Sequence, residues 1–245
     1  MEVFAYTDTG VSREENQDAY YYCQGEVSLY MVADGMGGHR DGEFASNLTA
    51  YTIENCFDEH YEELAAGKLP IPKFINQAVQ KANSEIFSFS KKDIEDGGTM
   101  GTTAVILVTK GDRAYIGHVG DSRAYLVRDG ELQKLTTDHS LVEMLIRSGS
   151  ITEEEAKTHP QRNIITRAVG TNEKIEVDIK SFDLKKGDIV FLTSDGLHGV
   201  LSEDYIIDKI NETPEDLDGV CKDLIYEANE LGGPDNITIL MTKKS

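Results

Sequence analysis

Residues 101–135 read GTTAVILVTKGDRAYIGHVGDSRAYLVRDGELQKL. β-Branched and aromatic residues stand in short blocks, broken by Gly111-Asp112, Gly120-Asp121 and Asp129-Gly130 at steps of about eight to ten residues. This rhythm predicts an antiparallel meander with strands over Thr103–Thr109, Arg113–Val119, Arg123–Arg128 and Glu131–Leu135. Asp129-Gly130 suits a tight hairpin, whose central positions need positive φ angles that Asp and Gly tolerate.

Outward from the meander the same signals recur. Upstream, Phe4–Tyr6, Ala19–Tyr22 and Ser28–Ala33 read as strands, the third delivering Asp34 to a glycine-rich break at Gly35, Gly37 and Gly38. A helix is expected from Gly42 to about Tyr61, where Phe44, Leu48, Tyr51, Thr52 and Cys56 recur at helical steps. A second follows Pro70 and Pro72, with Ile75, Ala78, Val79, Ala82 and Ile86 as its apolar stripe, and a glycine-rich turn is expected at Asp96–Gly98. Downstream, residues from Asp138 to about Gly170 turn polar, with short helical pieces and a capping box from Thr152 to Glu155. Strand signals resume at Glu176–Phe182 and Ile189–Thr193. The last helix is expected to be capped by Thr213, with Pro214 in its first turn and Leu217, Val220, Cys221, Leu224, Ile225, Ala228 and Leu231 on one face. Gly232-Gly233-Pro234 stops it before a strand at Ile237–Met241. Repeats, low-complexity tracts and linkers are lacking, so residues 1–245 are expected to form a single domain.

Composition narrows the class. A hydrophobic content of 39% and a charged content of 28% are those of a globular chain. Apolar runs such as Ala104–Val108 are far short of a membrane span, and MEVFAYTDTG does not read as an export signal, so a cytoplasmic location is expected. Cys23, Cys56 and Cys221 are odd in number and never form a CxxC pair, which argues against a disulfide framework or a zinc-thiolate site. A net charge of −20 opposes binding to nucleic acid or an anionic membrane, and a site that handles phosphate would need local cations.

Asp34, Asp121, Asp195 and Asp235 share one local grammar: each has a glycine close by and stands where a predicted strand ends or begins. Each alone reads as a turn residue. Four together suggest carboxylates converging on one sheet edge, with Asp18 brought beside Asp34 by adjacent strands. Hard oxygen donors without nearby thiolates favour Mg²⁺ or Mn²⁺ over Zn²⁺.

These residues carry an ordered resemblance. Arg13-x-x-Asn16-x-Asp18, Val32-Ala33-Asp34-Gly35-Met36-Gly37-Gly38-His39, Gly101-Thr102-Thr103, Val119-Gly120-Asp121-Ser122-Arg123-Ala124-Tyr125, Ser194-Asp195-Gly196-Leu197 and Gly233-Pro234-Asp235-Asn236 together resemble the bacterial PPM (PP2C-type) metal-dependent serine/threonine protein phosphatases. The resemblance implies an α+β fold, a four-layer α-β-β-α sandwich of two antiparallel sheets flanked by helices. It implies two core Mn²⁺ or Mg²⁺ ions and a third, weaker one. Asp34 would bridge the core pair, Gly35 would offer its carbonyl to one of them, and Asp195 and Asp235 would hold the other. Asp18 would act through metal-bound water, Asp121 with Asp195 would hold the third ion, and Arg13 would clamp the substrate phosphate.

The resemblance also implies direct attack on phosphorus by a metal-bridging hydroxide, without a protein nucleophile. Eukaryotic relatives place a histidine directly after Asp-Gly, where this chain has Met36. His39 or metal-bound water is then the candidate proton donor. His118 is expected to pack in its strand, His60 to be solvated and His198 to sit in a loop near the site. The insertion at about 138–170 corresponds to the family's flap. His139, Arg147, His159, Arg162 and Arg167 lie in it and are read as structural. Implied partners are phosphorylated proteins and an opposing bacterial Ser/Thr kinase, with the enzyme a monomer. Two other readings stay open: a phosphohydrolase for small molecules, and a non-catalytic phosphoprotein-binding module. Retention of Arg13, Asp34, Asp195 and Asp235 speaks against the second.

Overall fold

A computed structural model of the chain describes residues 1–37, 40–91 and 100–245, with Arg40 by its backbone alone. The four strands expected of the meander form close to their expected bounds: β5 (Ala104–Lys110), β6 (Arg113–Val119), β7 (Arg123–Arg128) and β8 (Glu131–Lys134). Arg128 pairs with Glu131 across a two-residue turn, and both Asp129 (φ 53°) and Gly130 (φ 81°) take the left-handed conformation that such a turn demands. The meander does not stay in one sheet. β6 pairs with β5, whereas β7 pairs with β8 and β10 (Ile189–Thr193), so the chain crosses between sheets at Gly120–Ser122.

Around it the other strands are β1 (Glu2–Asp8), β2 (Asp18–Cys23), β3 (Val27–Met36), β4 (Gly101–Thr102), β9 (Asp178–Asp183) and β11 (Ile237–Lys243). One sheet has the order β1-β11-β10-β7-β8; the other runs β2-β3-β5-β6-β9, with β4 on β3. Every pairing is antiparallel. Side chains alternate across a strand, and β3 shows the result. Tyr30 and Val32 pack between the sheets with Val105, Leu107, Leu126, Val190 and Leu240, whereas Leu29, Met31 and Ala33 face the helices α1 (Arg40–Ala65) and α2 (Ile71–Ser90). A strand buried on both faces explains its unbroken apolar run. On the far side α6 (Glu203–Glu212) and α7 (Leu217–Glu230) cover Tyr125, Phe191 and Met241. The result is the expected α-β-β-α sandwich.

Several local readings differ. Helix α1 buries Ala45, Thr49, Thr52, Ile53, Cys56 and Phe57, while Phe44 and Tyr51 of the expected stripe are exposed at 41% and 62%. The buried stripe is built largely from small and polar residues that hydrophobicity alone undervalues. Helix α6 was not expected, although Ser202 caps it and Ile206 and Ile210 bury one turn apart. Thr213 closes that helix instead of opening the next; α7 starts at Leu217 with the Asp216 carboxylate accepting from Gly219 N–H, and Leu231 is exposed. The Thr152–Glu155 capping box is present at the start of α4 (Glu153–Lys157), which with α3 (Leu141–Arg147) lies in the 138–170 insertion. The turn expected at Asp96–Gly98 lies outside the described residues. Among the described residues no helix is long and apolar enough to cross a membrane.

Candidate metal centre and active site

One end of the sandwich gathers the aspartates. In the β2–β3 register Asp18 pairs with Asp34, which places both at the same edge of their sheet. In the other sheet Asp195 lies two residues past the end of β10 and Asp235 two before the start of β11, and these strands are antiparallel neighbours. Asp121 sits in the crossover between β6 and β7.

Asp34 is fixed through its backbone. Its N–H donates to Thr103 Oγ1 at 2.9 Å, and its carbonyl accepts from Thr103 N–H and Thr102 Oγ1 at 2.8 Å each. Thr103 Oγ1 also lies 2.6 Å from Ser122 Oγ, next to Asp121. These contacts give a task to the Gly101-Thr102-Thr103 motif. Gly35 is required by close approach: a Cβ there would stand 2.1 Å from the Gly42 carbonyl oxygen and 2.6 Å from that of Gln17. The absent side chain lets the start of α1 press against the end of β3.

Arg13 does reach the aspartates. Its guanidinium bonds Asp235 Oδ2 at 2.6 Å and donates to the Pro234 carbonyl at 3.3 Å, while remaining about half exposed. Asn236 holds the loop that carries it. The Asn236 amide donates to the carbonyls of Thr9 and Glu15 at 2.8 and 2.9 Å, and its oxygen accepts from Gln17 N–H at 2.8 Å. A cleft of ≈ 350 Å³ opens beside it, lined by Arg13, Glu14, Glu15, Gln17, Gly37 and Asn236.

The electrostatics are those of crowded acids. Burial, then the charges of Asp18, Asp195, Asp121 and Asp235, hold the Asp34 carboxyl well above its ordinary range. Burial and the neighbouring acids raise Asp18 to about 7, Asp121 to about 8 and Asp195 to about 6. Among the described residues, Asp18 Oδ1, Asp121 Oδ1 and Asp195 Oδ1 are buried and accept no hydrogen bond. Three orphaned oxygens in one acidic cluster fit hard divalent cations, which would both satisfy them and cancel the repulsion.

The pH response follows. The folded, metal-free protein keeps protons on these carboxyls that the unfolded chain releases near pH 4, so this stability is fully present below that value. It is lost as pH rises through the folded values, from about 6 to about 8. Calorimetry in chelator is expected to show a melting temperature that falls between about pH 5.5 and pH 8.5, and saturating Mn²⁺ is expected to flatten or invert that slope.

The histidines sort differently. His39 lies outside the described residues. His198 is half-buried in the short helix α5 (Asp195–His198), with Nε2 3.1 Å from the Asp121 carbonyl, and burial drives its pKa well below the ordinary value. It is a neutral donor to the Asp121 backbone instead of an idle loop residue. His118 stacks on His139 at 4.6 Å and its Nε2 meets the Thr137 carbonyl at 2.8 Å. His139 Nδ1 accepts from Gly120 N–H at 3.0 Å, so its proton sits on Nε2, 3.4 Å from Asp178. Burial, then His118 and Arg167, lower its pKa to about 4. His118, His139 and Asp178 are close enough to hold a metal ion, but Nδ1 of His139 is committed and Arg167 already pairs Asp178 at 2.7 Å. This cluster ties the insertion to the sheet. Arg123 does the same at its start through Asp138, at 2.6 Å. His60 is half-buried, with Nδ1 3.1 Å from the Cys56 carbonyl.

Residues 11–223 match the family model described as protein phosphatase 2C. The chain belongs to the protein phosphatase 2C family. It is 35% identical over 240 residues to the serine/threonine phosphatase stp of Listeria monocytogenes, covering 97% of this chain and 94% of that one. The Streptococcus agalactiae serine/threonine phosphatase superposes with a TM-score of 0.88 at 37% identity, covering 100% of this chain and 99% of its own. The catalytic domain of the phosphatase PstP, solved with two manganese ions, gives 0.84 at 32% identity, covering 99% and 97%. This protein phosphatase 2C is a serine/threonine phosphatase, a hydrolase of phosphoserine and phosphothreonine in proteins. Its family is metal-dependent.

Proposed function

We propose that residues 1–245 act as one catalytic unit, with a flap at about 138–170, that hydrolyses phosphoserine and phosphothreonine at the Asp34 end of the sandwich. The observation that carries the assignment of the site is the set of orphaned oxygens on Asp18, Asp121 and Asp195. Asp34, the Gly35 carbonyl, Asp195 and Asp235 would hold two Mn²⁺ or Mg²⁺ ions, Asp121 with Asp195 a third and weaker one, and Asp18 would complete the cluster. When bound, such cations supply Lewis-acid charge that makes water nucleophilic at neutral pH and stabilises charge developing on the phosphoryl oxygens.

The chain's own groups do the rest. Burial raises the thiol pKa of Cys23 and Cys56, and that of Cys221 to about 12, which disfavours a thiolate nucleophile and suits the proposed direct transfer to water. Arg13, exposed at the rim beside Asp235, is the cation placed to meet the substrate phosphate. Bound phosphate and cations would compete for the two partners of that ion pair. His39 or water protonates the leaving serine or threonine oxygen. The same reading makes the protein a cytoplasmic monomer that opposes a Ser/Thr kinase, and its net charge of −20 disfavours attraction to anionic membranes.

The discriminating assay compares a phosphothreonine peptide with a nucleotide and a sugar phosphate. The peptide is expected to be favoured by at least about tenfold in kcat/KM, and preference for a small ester would overturn the protein-substrate assignment. Arg13→Ala is expected to cost about 10–100-fold, mainly in KM, as loss of a charge-assisted phosphate contact requires. An unchanged KM would remove Arg13 from substrate binding.

A further inference from the structure

Asp18 is bonded on one side only. Its Oδ2 accepts from Ser194 Oγ and from Thr238 Oγ1, each at 2.7 Å, while its Oδ1 is buried without a partner among the described residues. The directions of the surrounding bonds are determined. Thr238 Oγ1 has one proton, and Asp18 takes it; the 2.8 Å contact between Thr238 Oγ1 and Thr7 Oγ1 is therefore donated by Thr7. Thr7 Oγ1 in turn accepts from Asn16 Nδ2 at 2.8 Å. Asn16 Oδ1 accepts from Asp18 N–H at 3.0 Å, which closes the loop on the same residue. Ser194 Oγ accepts from Thr238 N–H at 2.9 Å, which leaves its own proton for Asp18.

Ser194 and Thr238 donate their hydroxyl protons to Asp18 Oδ2, and Thr7 donates its own to Thr238 Oγ1, so the chain of donors runs from Asn16 to the buried carboxylate. The chain also crosses the sandwich. Asp18 and Asn16 belong to the β2–β3 side, whereas Thr7, Ser194 and Thr238 belong to β1, the end of β10 and β11. The sheet that carries Asp34 is thereby bonded to the sheet that carries Asp195 and Asp235 at the edge where the carboxylates meet.

We propose that Ser194 and Thr238, backed by Thr7 and Asn16, are positioning residues that saturate Oδ2 of Asp18 and present Oδ1 to the cation site, fixing the distance between the two halves of that site. Two donors converging on one oxygen leave the carboxylate a single orientation. Their hydroxyls touch neither substrate nor reacting atoms, and they act through Asp18. The inference rests on the cation reading of the carboxylate cluster given above.

The test is Mn²⁺ titration calorimetry on the metal-free full chain, with melting temperature measured in parallel. Ser194→Ala and Thr238→Val are each expected to weaken Mn²⁺ binding by about tenfold, the usual cost of removing an outer partner of a metal ligand. Thr238→Ser, which keeps the hydroxyl, is expected to bind within about twofold of the parent. Folded variants that bind Mn²⁺ with parental affinity overturn the inference, as does equal weakening by Thr238→Val and Thr238→Ser, which marks a packing effect. Should Thr238→Val not fold, Ser194→Ala carries the test, because it removes one of the two donors by itself. A parent chain that binds no Mn²⁺ overturns the cation reading itself, which separates the two failures.

Discussion

Asp34→Asn is expected to lower kcat/KM on a phosphothreonine peptide by about 10³-fold or more while raising the melting temperature of the metal-free protein. Cation stabilisation of a phosphoryl transition state is worth several kcal/mol, and at about 1.4 kcal/mol per decade its loss reaches that magnitude. The opposite sign of the stability effect comes from the same residue. Near neutral pH the wild-type carboxyl must either carry charge against Asp18, Asp195, Asp121 and Asp235, or hold a proton that the unfolded chain does not hold. Both cost stability, and a carboxamide does neither. Its size is kept, as are the backbone bonds to Thr102 and Thr103. Reduced activity with reduced stability would mean that the substitution damaged the fold. Activity within about tenfold of the parent would mean that Asp34 does not sit at the reacting centre.

This coupling of opposite effects reflects how the site is built. The sheets bring acids together at one edge, and burial raises the cost of their charge. Local structure holds them there through uncharged donors: two threonines on the Asp34 backbone, two hydroxyls on Asp18, and the Asn236 amide on the Arg13 loop.

The meander was legible because its turns are written in residues that few other conformations accept, as Asp129 and Gly130 show. The aspartates were legible for a related reason: each ends or begins a strand beside a glycine, and antiparallel pairing then brings strand ends to common edges. What stayed hidden depends on partners distant in sequence. Thr238 and Asp18 are 220 positions apart, and a threonine in a strand reads as an ordinary β-former until that partner is known. Asn236 stood in a recognised motif without a task, which only its three bonds to residues 9–17 supply. The face of α1 is legible in part: Thr52 and Cys56 are buried as expected, whereas Phe44 and Tyr51 outweigh Ala45 and Thr49 on any hydrophobicity count, yet the smaller pair fits against the sheet. Arg13 was expected to serve phosphate, and the structure adds its bond to Asp235.

We infer that the carboxylate cluster works by holding divalent cations. Hydrolysis of a phosphothreonine peptide, followed before chelation, in excess EDTA and after return of Mn²⁺, tests it most directly. Among the described residues the orphaned oxygens of Asp18, Asp121 and Asp195 have no donor to fall back on, and burial of the three cysteines disfavours a thiolate route. Chelation is therefore expected to reduce turnover by at least about 10³-fold, and excess Mn²⁺ to restore it. Turnover that persists in EDTA at the level of the untreated enzyme would contradict the account.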